Sequence, residues 1–291
     1  MLYSGKDLRK LIIPLIIEQI LAIAVGMADT IMVSAAGEAA VSGVSLVDTV
    51  NILLINVFSA LATGGAVVSG HFLGKKKRED ACKSAWQILL FATLLAFVIS
   101  VIFITAHDPL LRLMFGKIED DVMKASKTYL IITTYSFVAL AIYNSCAALF
   151  RAMNESKVTM WVSLLMNVIN VVGNAICIYG LHMGVAGVAI PTTISRYVAA
   201  VVIFLLMFQT KKEINLCGQI TWKFNGSLIK KILYIAIPNG LENSMFQLGK
   251  ILVMSAVATM GTSAIAANAV TGTIANWNNL PGFAINLAIV S

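Results

Sequence analysis

A carboxylate inside a long apolar run has to be neutralised, paired or wetted, because hydrocarbon cannot solvate its charge. Asp29 stands in such a run, in GMADTIMVS. It lies about seven residues, or roughly 10 Å of helix, from the run's outer end. A second run reads MNVINVVGNAICIYG and carries Asn170 and Asn174 four residues apart, hence on one helix face, with Asn167 three residues before them. A third, GVAGVAIPTTISR, places Thr192 at the depth that Asn174 reaches from Gly180. One carboxylate, two carboxamides and a hydroxyl at one level form a hard oxygen donor set, suited to a proton or an alkali cation and unsuited to zinc. Pro191 frees a backbone carbonyl close by, which adds to the same site.

Four more ionisable groups fall inside apolar stretches. Glu18 follows Pro14 by four residues, as Glu242 follows Pro238. Eleven residues, or three turns, separate Glu18 from Asp29, so the two share a face about 16 Å apart. Glu18 either marks the cytoplasmic mouth of a pathway that Asp29 reaches from outside, or pairs with Arg196 as a structural clamp. Lys250 pairs either with Glu242, two turns away, or with a segment following the chain. His71 reads as an interfacial hydrogen-bonding group. Cys82, Cys146, Cys177 and Cys217 have no disulfide or metal spacing and read as small apolar filler. No HExxH, Walker A, GxSxG, GxGxxG or CxxC pattern occurs, so no catalytic constellation is expected.

The elements that position these groups follow from composition. Hydrophobic residues make up 59% of the 291 and charged residues 12%. The mean hydropathy is +0.88. That balance excludes an ordinary soluble enzyme and a disordered chain alike. Apolar runs long enough to span a bilayer cover about 11–35, 46–70, 85–106, 128–150, 157–180, 185–209, 229–259 and 264–290. The fold class is therefore an all-α polytopic membrane protein. Six spans form an N-terminal lobe over residues 1–210, a cytoplasmic linker covers 211–228, and 229–291 begins a second lobe. The net charge of +7 reflects topology rather than nucleic acid. Lys6, Arg9, Lys10, Lys75, Lys76, Lys77, Arg78, Lys83, Arg151, Lys157, Lys211, Lys212, Lys223, Lys230 and Lys231 all fall on one side of these spans. The positive-inside rule places that side, and the N-terminus, in the cytoplasm.

An internal repeat supports this division. At an offset of 224 residues, Pro14 and Glu18 fall on Pro238 and Glu242, and Gly37 falls on Gly261. An even number of spans between the copies makes the repeats parallel, related by an axis along the membrane normal. Ser291 ends the chain inside an apolar run, which reads as C-terminal truncation. Doubling the first unit predicts about twelve spans and roughly 450 residues for a complete protein.

The segments PLIIEQILAIAVGMADTIMVSAAGEAAVSGVSL, GGAVVSGHFLGKKKREDA, LFRAMNESK, NVINVVGNAICIYG, GVAGVAIPTTISR and IPNGLENSMFQLGKILV resemble the bacterial multidrug and toxic-compound extrusion (MATE) transporters along essentially the whole chain. The resemblance implies two six-helix lobes around a central cavity. It implies export of cationic or amphipathic drugs or toxic compounds from a bacterial inner membrane, exchanged for Na+ or H+, by a monomer in contact with membrane lipids and without nucleic acid or another cofactor. The family's acidic residue in the first helix matches Asp29, its polar pair in the fifth matches Asn170 and Asn174, and its hydroxyl in the sixth matches Thr192. Archaeal members carry Asp where this chain has Asn174, so a single carboxylate remains in this set. A lipid-linked saccharide flippase is the alternative in transport; it would need several Arg or Lys facing its pyrophosphate, and only Arg196 is available here. A membrane enzyme or passive scaffold is the alternative outside transport.

Overall fold

The computed structural model describes residues 5–116, 118–209, 212–217, 222–272 and 274–275, and every regular element among them is helical. Helices α1 (Gly5–Ser34), α2 (Glu38–Gly74) and α3 (Arg78–Thr105) lead to a short α4 (His107–Phe115). Next come α5 (Asp120–Thr134), α6 (Phe137–Ala152) and α7 (Ser156–Ala175), the last running into a π-helical turn over Ile176–Gly180. Helices α8 (Ala186–Leu206) and α9 (Gly226–Ala258) follow, and helical residues resume at 262. Among the described residues five helices are long and apolar enough to cross a membrane, and α5 with α6, bent by 52°, supplies a sixth. At 33 residues α9 is long enough, but Asn239, Glu242 and Asn243 interrupt its apolar run. The eighth expected span, 264–290, lies mostly outside the described residues.

Packing is the reverse of a soluble bundle. On α3, Ala92, Ala96 and Ser100 point inward and are buried, while Leu94, Phe97, Val98, Val101 and Ile102 are exposed on the opposite face. Small residues let backbones approach and large apolar ones meet lipid, as expected where water supplies no drive between helices. Helix α2 is central: a methyl group on Gly64 would stand 2.7 Å from the carbonyl oxygen of Ile232 in α9. The two helices run antiparallel, because at the far end the Ser42 hydroxyl donates to the carbonyl of Thr262 at 3.0 Å. Beyond α8, Ile214 and Leu216 are buried against α3, α6 and α8. There the Arg78 guanidinium donates to the carbonyls of Lys212 and Glu213.

Two differences from the expected spans bear on the site. Helix α2 begins at Glu38, not near 46, because Gly37, at φ +100°, turns the chain directly into it. The span expected as one helix over 128–150 is two. Thr133 and Thr134 donate back to the carbonyls of Tyr129 and Leu130, and Ser136 to that of Thr133, a pattern that bends helices. The carbonyls at the break are taken by side chains of neighbouring helices: Thr193 bonds Ile132 at 3.0 Å, Tyr197 bonds Tyr135 at 2.8 Å and Ser100 bonds Thr134 at 3.3 Å. Irregular backbone at membrane depth is thereby satisfied within the protein.

The repeat is visible in the backbone. Gly37 and Gly261 have φ of +100° and +101°. The amides of Ala35, Ala36, Gly37 and Val41 donate to Met32, Val33, Ser34 and Gly37, and those of Thr259, Met260, Gly261 and Ile265 donate to Ala256, Val257, Ala258 and Gly261. The same turn recurs at the 224-residue offset.

Candidate functional site

Asp29, Asn170, Asn174 and Thr192 form one hydrogen-bonded chain across α1, α7 and α8. The carboxamide nitrogen of Asn174 donates to Asp29 Oδ1 at 2.6 Å and to Asn170 Oδ1 at 3.2 Å. Asn170 Nδ2 donates to Thr192 Oγ1 at 2.9 Å, and that hydroxyl donates to the carbonyl of Val188 at 2.8 Å. Helical spacing puts both asparagines on the α7 face toward α1 and α8. Gly173 allows the close approach: a methyl group there would lie 2.7 Å from Cβ of Pro191. Asn174 is fully buried, yet its Oδ1 has no hydrogen-bond partner. A buried, unpartnered acceptor beside a carboxylate is costly, and a bound cation or a proton-sharing donor relieves that cost.

Asp29 opens into a cavity of about 460 Å³ between α1, α2 and α9, of a size that holds a drug-like molecule. Its wall contains a second carboxylate, Asp48, which the sequence reading passed over, together with Tyr129 and Lys250. The Tyr129 hydroxyl hydrogen-bonds Asp48, and Asn51 Nδ2 donates to its Oδ1 at 3.4 Å. With the helix starting at Glu38, and not near 46, Asp48 lies about three turns deep. The signal available was Gly37, whose match to Gly261 marks where the second helix begins.

Arg196 sits one turn below Thr192 on α8 and donates to the Ser136 hydroxyl at 2.8 Å, at the break between α5 and α6. Its charge acts on Asp29 and Asp48 without an ion pair to either.

Two expected pairings are corrected. Glu18 does not pair with Arg196. Its partners are Arg151, 3.7 Å away on α6, and the Thr159 hydroxyl, which donates at 3.2 Å. Arg151 reaches Glu18 because α6 continues to Ala152, so the arginine belongs to its last turn and not to a loop. Lys250 does not pair with Glu242: its ammonium lies 4.9 Å from the centre of the Phe246 ring, and Glu242 is exposed. The two glutamates matched by the repeat thus have different surroundings among the described residues, since α1 packs on α7 whereas Glu242 on α9 is exposed.

The fold and this site define a multi-pass helical membrane protein with an acidic cavity beside a buried cluster of oxygen and amide groups. Residues 14–176 match the MatE family, and the chain belongs to that family. It is 28% identical to "Uncharacterized transporter YisQ" of Bacillus subtilis (strain 168), over 94% of this chain and 60% of that protein. It is 25% identical to "Probable multidrug resistance protein NorM" of Thermotoga maritima, over 98% of this chain and 62% of that protein. The chain therefore spans about 60% of the length of these curated relatives. Among solved structures, the MATE multidrug transporter DinF-BH superposes with a TM-score of 0.89 at 23% identity, covering 98% of this chain and 64% of that one. An inward-facing MATE family transporter of the MOP superfamily gives 0.84 at 21% identity, covering 93% and 60%. YisQ and the two solved structures are named as transporters, and NorM as a probable multidrug resistance protein.

Proposed function

We propose that this chain carries the coupling site of a secondary antiporter that exports cationic or amphipathic compounds in exchange for Na+ or H+. It would do so in a bacterial inner membrane, with its N-terminus in the cytoplasm. The observation that carries the reading is the buried, unpartnered Oδ1 of Asn174 beside the Asp29 carboxylate. A proton neutralises Asp29 directly; an alkali cation recruits that oxygen together with Asp29 and Thr192. Either event removes an uncompensated charge from one wall of the cavity. The helices α1, α7 and α8 then repack, and the affinity of the cavity for a cationic compound falls. Ion and exported compound exchange because each favours a different state. Asp48, held by Tyr129 and Asn51 on the same wall, is the second carboxylate that faces the compound. Two carboxylates against Lys250 oppose a pyrophosphate-bearing lipid, which argues against the flippase reading.

Efflux of a fluorescent organic cation from vesicles under an imposed Na+ or H+ gradient tests this. Asp29→Asn is expected to abolish gradient-driven export while the protein remains in the membrane. Asp48→Asn is expected to weaken dye affinity about tenfold, the effect of losing one charged contact worth roughly 1.4 kcal/mol. Near-normal efflux from Asp29→Asn would refute the mechanism.

A further inference from the structure

A second cavity, of about 510 Å³, lies between the end of α2 and the start of α9, away from Asp29. Its walls are apolar, formed by Val67, Val68, Phe72 and Ile235, and its rim carries His71, Lys75, Lys230 and Lys231. All four rim residues are exposed. None of the three lysines is ion-paired with a described residue, and no carboxylate lines the groove. The Lys231 ammonium stands 5.7 Å from the Phe72 ring, which holds it over the groove. From the rim an apolar track leads toward the middle of the membrane. Val67 is 44% exposed, Tyr234 83%, Ile237 52% and Leu241 58%; the last three recur at helical spacing on one face of α9.

We infer that this groove binds an anionic phospholipid. Its phosphate would lie among Lys75, Lys230, Lys231 and His71, and one acyl chain along Val67, Tyr234 and Ile237. Charge complementarity selects the occupant. Uncompensated lysines at the end of a span attract anionic headgroups, while the exposed track below them offers nothing to a water-soluble anion. The amphipathic lysines place their stems on apolar surface and their charges at headgroup level. Because α2 and α9 belong to opposite halves of the repeat, a lipid seated here bridges the two halves at the side bearing the basic loops. The site is independent of Asp29 and of the transport reading.

The test is native mass spectrometry of the full chain in mild detergent, titrated with phosphatidylglycerol or phosphatidylcholine of identical acyl chains. Phosphatidylglycerol adducts are expected to be at least tenfold more abundant. The triple variant Lys75→Gln, Lys230→Gln, Lys231→Gln is expected to lose that preference, and Lys75→Arg, Lys230→Arg, Lys231→Arg to keep it. Excess inorganic phosphate should not displace the lipid. In vesicles, the fluorescence added by Tyr234→Trp should be quenched by dibrominated phosphatidylglycerol more strongly than by dibrominated phosphatidylcholine. Equal binding of the two lipids, a preference that survives charge removal, displacement by phosphate alone, or a Tyr234→Trp signal untouched by either brominated lipid each overturns the proposal; the last would mean that protein covers the track.

Discussion

Glu18 and Arg151 show how the placement of one charge sets the cost of losing it. Their side chains are 12% and 16% exposed and 3.7 Å apart, so each is largely desolvated and the Thr159 hydroxyl adds one further bond. Glu18→Ala leaves a guanidinium without its counter-charge and is expected to destabilise the protein by about 3 kcal/mol, the lower end of the range for a broken buried pair. Glu18→Ala with Arg151→Ala should cost less than the sum of the single changes, and thermal unfolding of the four proteins in detergent measures the difference. Additive effects would mean that the pair contributes nothing. The partner was not legible in the sequence, because a sequence gives the depth of a charge along its own helix and says nothing of which neighbour stands at that depth. Asp29, Asn170, Asn174 and Thr192 were legible for the complementary reason. Asp29, Asn174 and Thr192 each lie about six or seven residues from the same end of their apolar runs, with Asn170 one turn further along, and equal depth on adjacent spans is a necessary condition for contact.

Among the elements, the α7–α8 seam decides whether that condition is met. Gly173 faces Pro191 so closely that an added methyl group would sit 2.7 Å from its Cβ. Neither the proline ring nor the helix backbone can yield cheaply, so Gly173→Ala should push α8 away from Asn170. The expected loss is about 1–3 kcal/mol of stability, with ion coupling weakened more than insertion. A variant whose gradient-driven efflux matches the parent would show that the seam does not position the site. Away from the basic loops, Lys127 in α5 holds Asp108 in α4 at 2.9 Å, and this hydrogen bond pulls the Asp108 carboxyl below its ordinary value of 3.8. A depressed carboxyl stabilises the fold above its unfolded value and loses that contribution as pH falls through its folded one. The stability gap between the parent and Lys127→Gln should therefore be constant from pH 7 to about pH 5 and close below pH 3.8. A gap that instead widens in acid would contradict the assignment. The break between α5 and α6 was missed because apolar length alone cannot register it. It rests on Thr and Ser hydroxyls in TTYS turning back onto their own helix, and on Ser100, Thr193 and Tyr197 arriving from other helices to satisfy what the bend frees.

At the scale of the whole molecule, the repeat makes one prediction twice. Gly37 and Gly261 occupy equivalent turns at φ of +100° and +101°, where an L side chain is strained by about 1–3 kcal/mol. Nothing within 4 Å obstructs a Cβ at either position, so the strain acts alone. Gly37→Ala and Gly261→Ala should lower the thermal midpoint by similar amounts, and a much larger loss at one of them would break the equivalence. The repeat itself could be read from Pro, Glu and Gly at a common offset. Composition also determined that the chain lives in lipid, since burying so apolar a surface in water has no soluble solution. These are properties of the chain taken one segment at a time. Tertiary structure alone decided that Asp48 faces the same cavity as Asp29, that Glu18 meets Arg151, that Lys250 stands over Phe246, and that α2 and α9 enclose a basic groove. Each depends on the rotation of one helix about its axis relative to another, which small-residue contacts such as Gly64 on Ile232 and Gly173 on Pro191 fix, and which no pattern within a single helix encodes.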